Sequence, residues 1–164
     1  MTLKKTEPGN PVRLLLRIPV PWVFILTYLL GLIFQFFLPL DILSPKAMLY
    51  LKISGILLFV SGAFFALWSL IIFHKASTTT TPGERSKMLI TKGPYRLSRN
   101  PMYISLFLAY LGEAGLLAQF WPVVVLPLLL LYLNRIVIPL EEKILRDDFR
   151  DDYEKYCNEV HRWL

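Results

Sequence analysis

Soft metal ligands are nearly absent from this chain, which has one cysteine and two histidines. Cys157 alone cannot close an intrachain disulfide, and a cysteine-based zinc site lacks ligands. His74 and His161 lie far apart in sequence, so no metal site is expected. No Gly-x-Gly-x-x-Gly opens a Rossmann unit, no phosphate loop occurs, and there is no His-Glu-x-x-His helix. A Gly-x-Ser-x-Gly nucleophile elbow is also missing. The N-terminal basic stretch is not followed by a small-residue cleavage site, so no removable signal peptide is expected. Acids are scarce until late: eight of the twelve lie between Leu140 and Leu164.

What the chain does have is apolar surface. Of its 164 residues, 55% are hydrophobic, against about 45–50% in an ordinary soluble domain. These residues come in blocks near the ~20-residue length that carries a helix across a hydrocarbon core of roughly 30 Å. The reading is an all-α polytopic membrane helix bundle of about four spans, in a single domain. The formal charge of +6 is explained by membrane topology, since Lys and Arg mark cytoplasmic loops. No nucleic-acid partner is needed.

Residues 1–19 read as an interfacial lead-in, and 20–73 as two membrane helices, Val20 to Leu38 and Ala47 to Phe73, with a tight turn between them. Small residues Gly55, Ser61, Gly62, Ala63 and Ala66 allow close helix packing. Residues 74–100 form a polar connection in which Lys75, Arg85, Lys87, Lys92, Arg96 and Arg99 face one acid, Glu84; Met88-Leu89-Ile90 is expected to dip back to the membrane surface. Pro101 suits a helix start. Residues 101–139 read as a helical hairpin turning at Gln119-Phe120-Trp121-Pro122, with Glu113 near its tip in an interfacial role and Pro139 ending the last span. Residues 140–164 show Leu140, Ile144, Leu145, Phe149, Tyr156 and Val160 at mostly three- and four-residue intervals, the pattern of an amphipathic cytoplasmic helix or helix pair. Four spans and the basic loops place both termini on the cytoplasmic side.

Two polar clusters stand at the edge of this bundle: Gly93-Pro94-Tyr95-Arg96-Leu97-Ser98-Arg99-Asn100-Pro101-Met102-Tyr103 and Glu141-Glu142. Gly-Pro makes a turn that brings backbone N–H groups near a ligand, Arg96 and Arg99 can fork onto a carboxylate or phosphate, and Tyr95 and Tyr103 add flat apolar faces with hydroxyls. Neighbouring glutamates point about 100° apart on a helix, so only one squarely faces a given pocket. Carboxylates here can accept from an amine or ribose hydroxyls, or favour a sulfonium. Equally, they can pair with Arg96, Arg99 or Arg135 and lock the loop without any chemistry.

The run Gly93-Pro94-Tyr95-Arg96, Arg99-Asn100-Pro101-Met102-Tyr103, Glu141-Glu142 and the tail Phe149, Tyr153, Tyr156, Val160, Arg162-Trp163 resembles the membrane methyltransferases that include isoprenylcysteine carboxyl methyltransferase and the phospholipid N-methyltransferases. The resemblance implies S-adenosylmethionine as methyl donor and a lipophilic acceptor entering from the bilayer. By the same carry-over Tyr95, Arg99, Asn100, Pro101, Tyr103, Glu141 and Glu142 line the cofactor site, Tyr153, Tyr156 and Arg162 close it, and Arg135 faces the acceptor. Arg99, Arg135 and Glu142 are the expected catalytic residues. Two departures stand out: Asn100 where the family often has His, and Arg150 after Phe149 where Gly is common. Asn cannot titrate near neutral pH, which favours an oxygen or sulfur acceptor, such as the carboxylate of a prenylated cysteine, over a protonated amine. An NADPH-dependent reductase of sterol-reductase type and a non-enzymatic lipid-binding scaffold are the alternatives.

Overall fold

The computed structural model describes residues 19–40, 44–76 and 88–164. Nearly all of the expected lead-in, part of the turn near Asp41 and the Thr-Pro stretch of the polar connection lie outside the described residues. Every regular element among the described residues is helical: α1 (Val20–Phe37), α2 (Pro45–Ala76), a short 3-10 turn (Gly93–Arg96), α3 (Pro101–Leu116), α4 (Trp121–Tyr132), a π turn (Leu133–Val137) and α5 (Ile138–Glu159). Helices are the economical solution for an apolar chain in lipid, because each satisfies its own backbone polar groups. Three stretches are long and apolar enough to cross a membrane: Val20–Phe37, Pro45–Lys75 and the continuous helix from Trp121 to Glu159. At 16 residues, α3 spans about 24 Å. The protein is an integral membrane protein.

Backbones approach most closely between α2 and α3, and between α1 and α4. Small residues permit the first of these seams. A methyl group at Gly62 would meet the backbone N of Ala109 at 2.8 Å, one at Gly112 the backbone N of Phe59 at 2.5 Å, and one at Gly55 would collide with the backbone N of Leu116. Helices in lipid gain no hydrophobic driving force from one another, so such intimate van der Waals contact is what holds them together. On α1, Gly31 gives the same close approach to Pro122 of α4. Between the seams lies a core of Val20, Phe24, Tyr28, Tyr103, Tyr110, Ala114, Leu129, Leu133, Val137 and Ile138. The outer faces of α1, α2 and α4 stay apolar and exposed, as lipid contact requires.

Where the hairpin turns, Gln119 accepts from the Tyr28 hydroxyl at 2.7 Å, and the indole of Trp121 donates to the Leu38 carbonyl at 2.7 Å. The end of α3 is a Schellman cap: Gln119 N donates to Ala114 O at 2.8 Å and Ala118 N to Gly115 O at 3.1 Å. Ala118 occupies its left-handed position with φ 52°. Glu113 is exposed one turn before this cap, consistent with an interfacial place.

Pro139 does not end the fourth helix. The chain passes through the π turn Leu133–Val137 and continues helical to Glu159. A proline inside a helix removes an N–H and presses its ring on the carbonyl four residues back; the wider turn just before Pro139 relieves that clash. The tail is a helix pair within one span of chain, broken at Arg150, whose φ of 44° and ψ of −116° are non-helical. A positive φ is one that glycine adopts without strain, so the Phe-Gly expected from the resemblance at 149–150 would suit this backbone.

Left-handed φ costs a non-glycine residue about 1–2 kcal/mol. Both sites carry that cost: Ala118 with a methyl group, Arg150 with an exposed side chain. Ala118→Gly and Arg150→Gly are each expected to stabilise the protein by about 1 kcal/mol. A rise in thermal midpoint in detergent checks this, and a fall would show that the left-handed geometry is not populated.

Candidate active site

Gly93 turns the chain into the 3-10 segment with φ 63°, a value that favours glycine, and a side chain there would press on Trp68 and Ile72 of α2. Pro94 and Tyr95 are thereby buried. Leu89 and Ile90 do not lie free on a surface: they pack, with Phe73, Leu145 and Phe149, around a cluster of Tyr95, Tyr153, Tyr156 and Val160. The Tyr156 hydroxyl donates to the Tyr95 carbonyl at 2.6 Å, and Phe73 meets the Tyr95 ring edge-on at 5.4 Å. Burial pushes the Tyr95 phenol above its usual pKa range, so it stays a neutral hydroxyl.

Beside this cluster is a cavity of about 580 Å³, within the usual range of about 300–1,000 Å³ for small-molecule sites. One wall is polar and aromatic: Tyr95, Arg99, Asn100, Tyr103, Glu141, Glu142, Tyr153 and Tyr156, with Pro101 at the start of α3. The apolar part of the lining comes from the ends of α1 and α2, including Val20, Ala66, Leu70 and Phe73, with Leu106 of α3 and Leu145 of α5. Nine of the ten expected cofactor-binding residues line this one space. The tenth, Arg162, sits behind the wall and braces it.

The two glutamates play different parts. Glu142 is 6% exposed and accepts a two-pronged clasp from Arg162, Nε to Oε1 at 3.0 Å and Nη2 to Oε2 at 2.7 Å. Arg99 Nη2 lies 3.5 Å from its Oε1 and Arg146 Nη1 3.9 Å from its Oε2. The hydrogen bond to Glu142 in turn raises the pKa of Arg162. Glu141 accepts the Tyr103 hydroxyl at 2.6 Å. No cation among the described residues lies within ion-pair distance of it. The adjacent pair thus divides into a carboxylate held by arginines and a carboxyl on the cavity lining that no arginine holds, pushed up to about 7 by burial despite the hydrogen bond from Tyr103.

Arg99 also donates to the thiol of Cys157, so that cysteine is part of the site's support. Its Nε is buried without a partner among the described residues. Asn100 donates through Nδ2 to the Arg162 carbonyl at 3.0 Å and through its backbone N–H to Ser98 Oγ at 3.0 Å. Arg96 is exposed and does not line the cavity. Arg135, expected to face the acceptor, is likewise exposed and away from the cavity lining. The π turn containing it inserts an extra residue per turn, which shifts the helical phase between Arg135 and the Glu pair. The apolar wall was not read from the sequence. Its signal was the i, i+4 relation of Ala66 to Leu70 and of Glu141 to Leu145, which puts each pair on one helix face.

The family model for phospholipid methyltransferase matches residues 50–152, more than half of the chain and most of the cavity lining, with Val20, Tyr153 and Tyr156 beyond the match. The chain belongs to the phospholipid methyltransferase family. Two curated relatives, from Oryza sativa subsp. indica and Oryza sativa subsp. japonica, are each described as a probable protein-S-isoprenylcysteine O-methyltransferase. Each is 36% identical over 81 residues, covering 49% of this chain and 42% of the relative. The chain therefore aligns with less than half the length of these relatives. No solved structure matches it.

Removing the Glu142 carboxylate leaves Arg99 and Arg162 converging on a buried point without a counter-charge. Glu142→Ala is expected to destabilise the protein by about 2–4 kcal/mol, whereas Glu141→Ala costs under about 1 kcal/mol for one hydrogen bond. Thermal or denaturant unfolding in detergent checks the difference, and equal effects would contradict the division of roles.

Proposed function

We propose that the chain, acting as a single domain, is an integral-membrane methyltransferase that uses S-adenosylmethionine and acts on a lipophilic acceptor. The observation that carries this is one cavity whose lining combines polar and charged groups with apolar side chains drawn from the membrane helices. The polar wall fits such a donor chemically. Arg99 offers a buried Nε–H without a partner among the described residues, suited to a carboxylate. Tyr95 and Tyr103 offer aromatic faces, and the Glu141 carboxyl, pushed up to about 7 by burial, supplies a counter-charge once a bound amine or sulfonium favours its ionised form. When bound, S-adenosylmethionine supplies an electrophilic methyl group on a sulfonium.

Methyl transfer is an in-line displacement, so the residues chiefly align groups and exclude water. Arg99 and Asn100 hold the loop side of the polar wall, and Glu142, clasped by Arg162, fixes the helix side. Val20, Leu70, Phe73 and Leu106 supply the apolar lining that excludes water and accommodates an alkyl or prenyl chain. No histidine lines the cavity, and an acceptor that is already ionised needs no base. A carboxylate, or a sulfur acceptor already present as its thiolate, is therefore the favoured acceptor, the carboxyl of a prenylated cysteine being consistent with the descriptions of the rice relatives. The basic loops put this end, with both termini, in the cytoplasm. Arg135, exposed beside the last span, meets the acceptor's exposed part rather than its reacting atom.

Calorimetry of S-adenosylmethionine binding tests the reading directly. Wild type is expected to bind, and Glu141→Gln to bind about tenfold or more weakly, as loss of a charge-assisted contact of 1.5–3 kcal/mol requires. Binding of NADPH but not S-adenosylmethionine by the wild type would overturn the proposal.

A further inference from the structure

Beyond the end of α5, four residues in a row, Val160 to Trp163, are tied down. After α5 ends at Glu159, Val160 turns extended, with φ −129° and ψ 129°, and is buried against the tyrosine cluster. The His161 carbonyl accepts from Arg99 N at 2.9 Å. The Arg162 carbonyl accepts from both Ser98 Oγ at 2.9 Å and Asn100 Nδ2 at 3.0 Å. The Trp163 indole donates to Asn134 Oδ1 at 3.0 Å and meets Phe107 of α3 edge-on at 5.8 Å. Asn134 sits in the π turn and its Nδ2 donates to the Leu130 carbonyl at 3.1 Å, which fixes which way the amide oxygen points. The tail thus runs as a strap from the tyrosine cluster, past the Ser98–Asn100 loop, to the far side of the Glu141–Glu142 helix.

We infer that Asn134 and Trp163 form a positioning latch for the methyl-donor wall, acting through Arg162; this rests on the reading of the cavity as the S-adenosylmethionine site. Neither side chain lines the cavity. The latch fixes the residue after Arg162, and Arg162 then does two things at once: its guanidinium clasps Glu142 and its carbonyl holds Asn100. Releasing Trp163 frees Arg162 to swing toward water, since its side chain is already 33% exposed. Glu142 is then left to Arg99 and Arg146 at longer range, and both edges of the polar wall loosen together. The π turn has a role in this arrangement, because it places Asn134 where the indole reaches it.

The test compares full-length wild type, Trp163→Phe, Asn134→Ala, Asn134→Asp and the Trp163→Phe/Asn134→Ala double variant. Phenylalanine keeps a ring against Phe107 but loses the N–H, and aspartate keeps an oxygen for the indole. Expected is a rise of about fivefold in Kd and KM for S-adenosylmethionine in Trp163→Phe and Asn134→Ala, the size of one net hydrogen bond. The double variant is expected to be no worse than either single one, Asn134→Asp to remain close to wild type, and kcat at saturating donor to hold within about twofold. Unchanged donor affinity in the single variants, or losses that multiply in the double variant, would overturn the latch while leaving the cavity's assignment intact. Failure of wild type itself to bind S-adenosylmethionine would overturn both.

Discussion

The Glu142 carboxylate, buried and clasped by Arg162 with Arg99 and Arg146 close by, joins segments that are otherwise far apart: the loop before α3, the helix leaving the last span and the C-terminal strap. A buried charge is tolerable only when paired and hydrogen-bonded, so each of these segments must be in place for the others to be. Breaking a buried pair is costly even where its formation adds little net stability. The interaction therefore specifies one arrangement of the polar end more than it stabilises the protein as a whole. With Glu142 committed to arginines, Glu141 is the acid of the lining whose carboxyl has no arginine partner among the described residues.

Everything above that polar end follows a different logic. The α2–α3 seam is closed by glycines whose replacement would meet backbone atoms, and the α1–α4 seam by Gly31 against Pro122. Close backbone packing leaves no room for a ligand along these seams. Space opens instead beyond the last glycine of the seam, toward Ala66, Leu70 and Phe73 at the end of α2 and Val20 at the start of α1. The tight seams thus set both the position and the apolar character of one cavity wall.

Much of this was legible in the sequence, because its signals are local. Apolar blocks gave the helices, Gly55 and Gly62 gave the close seam, and Gly93-Pro94 and Glu141-Glu142 gave the two sides of the cavity. The rest depends on contacts between distant residues, or on competition that a local rule misses. Pro139 predicts a helix end by propensity, but the π turn before it absorbs the clash and the helix continues. That same inserted residue moves Arg135 out of phase with the Glu pair, which a count of sequence spacing cannot show. The partner of Glu142 was sought among Arg96, Arg99 and Arg135; Arg162 was out of view because only the fold of the tail brings residue 162 back to residue 142. Arg150 was noticed as a departure from Phe-Gly, and the positive φ supplies its physical meaning.

Asn100 illustrates how a substitution can be read once its partners are known. As a replacement for histidine it looks like the loss of a base, and on that view the chemistry would be impaired. Its side-chain amide, however, donates to the Arg162 carbonyl, while its backbone N–H donates to Ser98. Both are supporting contacts between the loop and the strap, and neither requires titration. A carbonyl needs a donor, and a neutral imidazole N–H or an amide N–H can provide one equally well. The asparagine is thus compatible with a site whose work is alignment, in which the acceptor's ionisation and the dryness of the apolar wall, rather than a protein base, supply the nucleophile's reactivity.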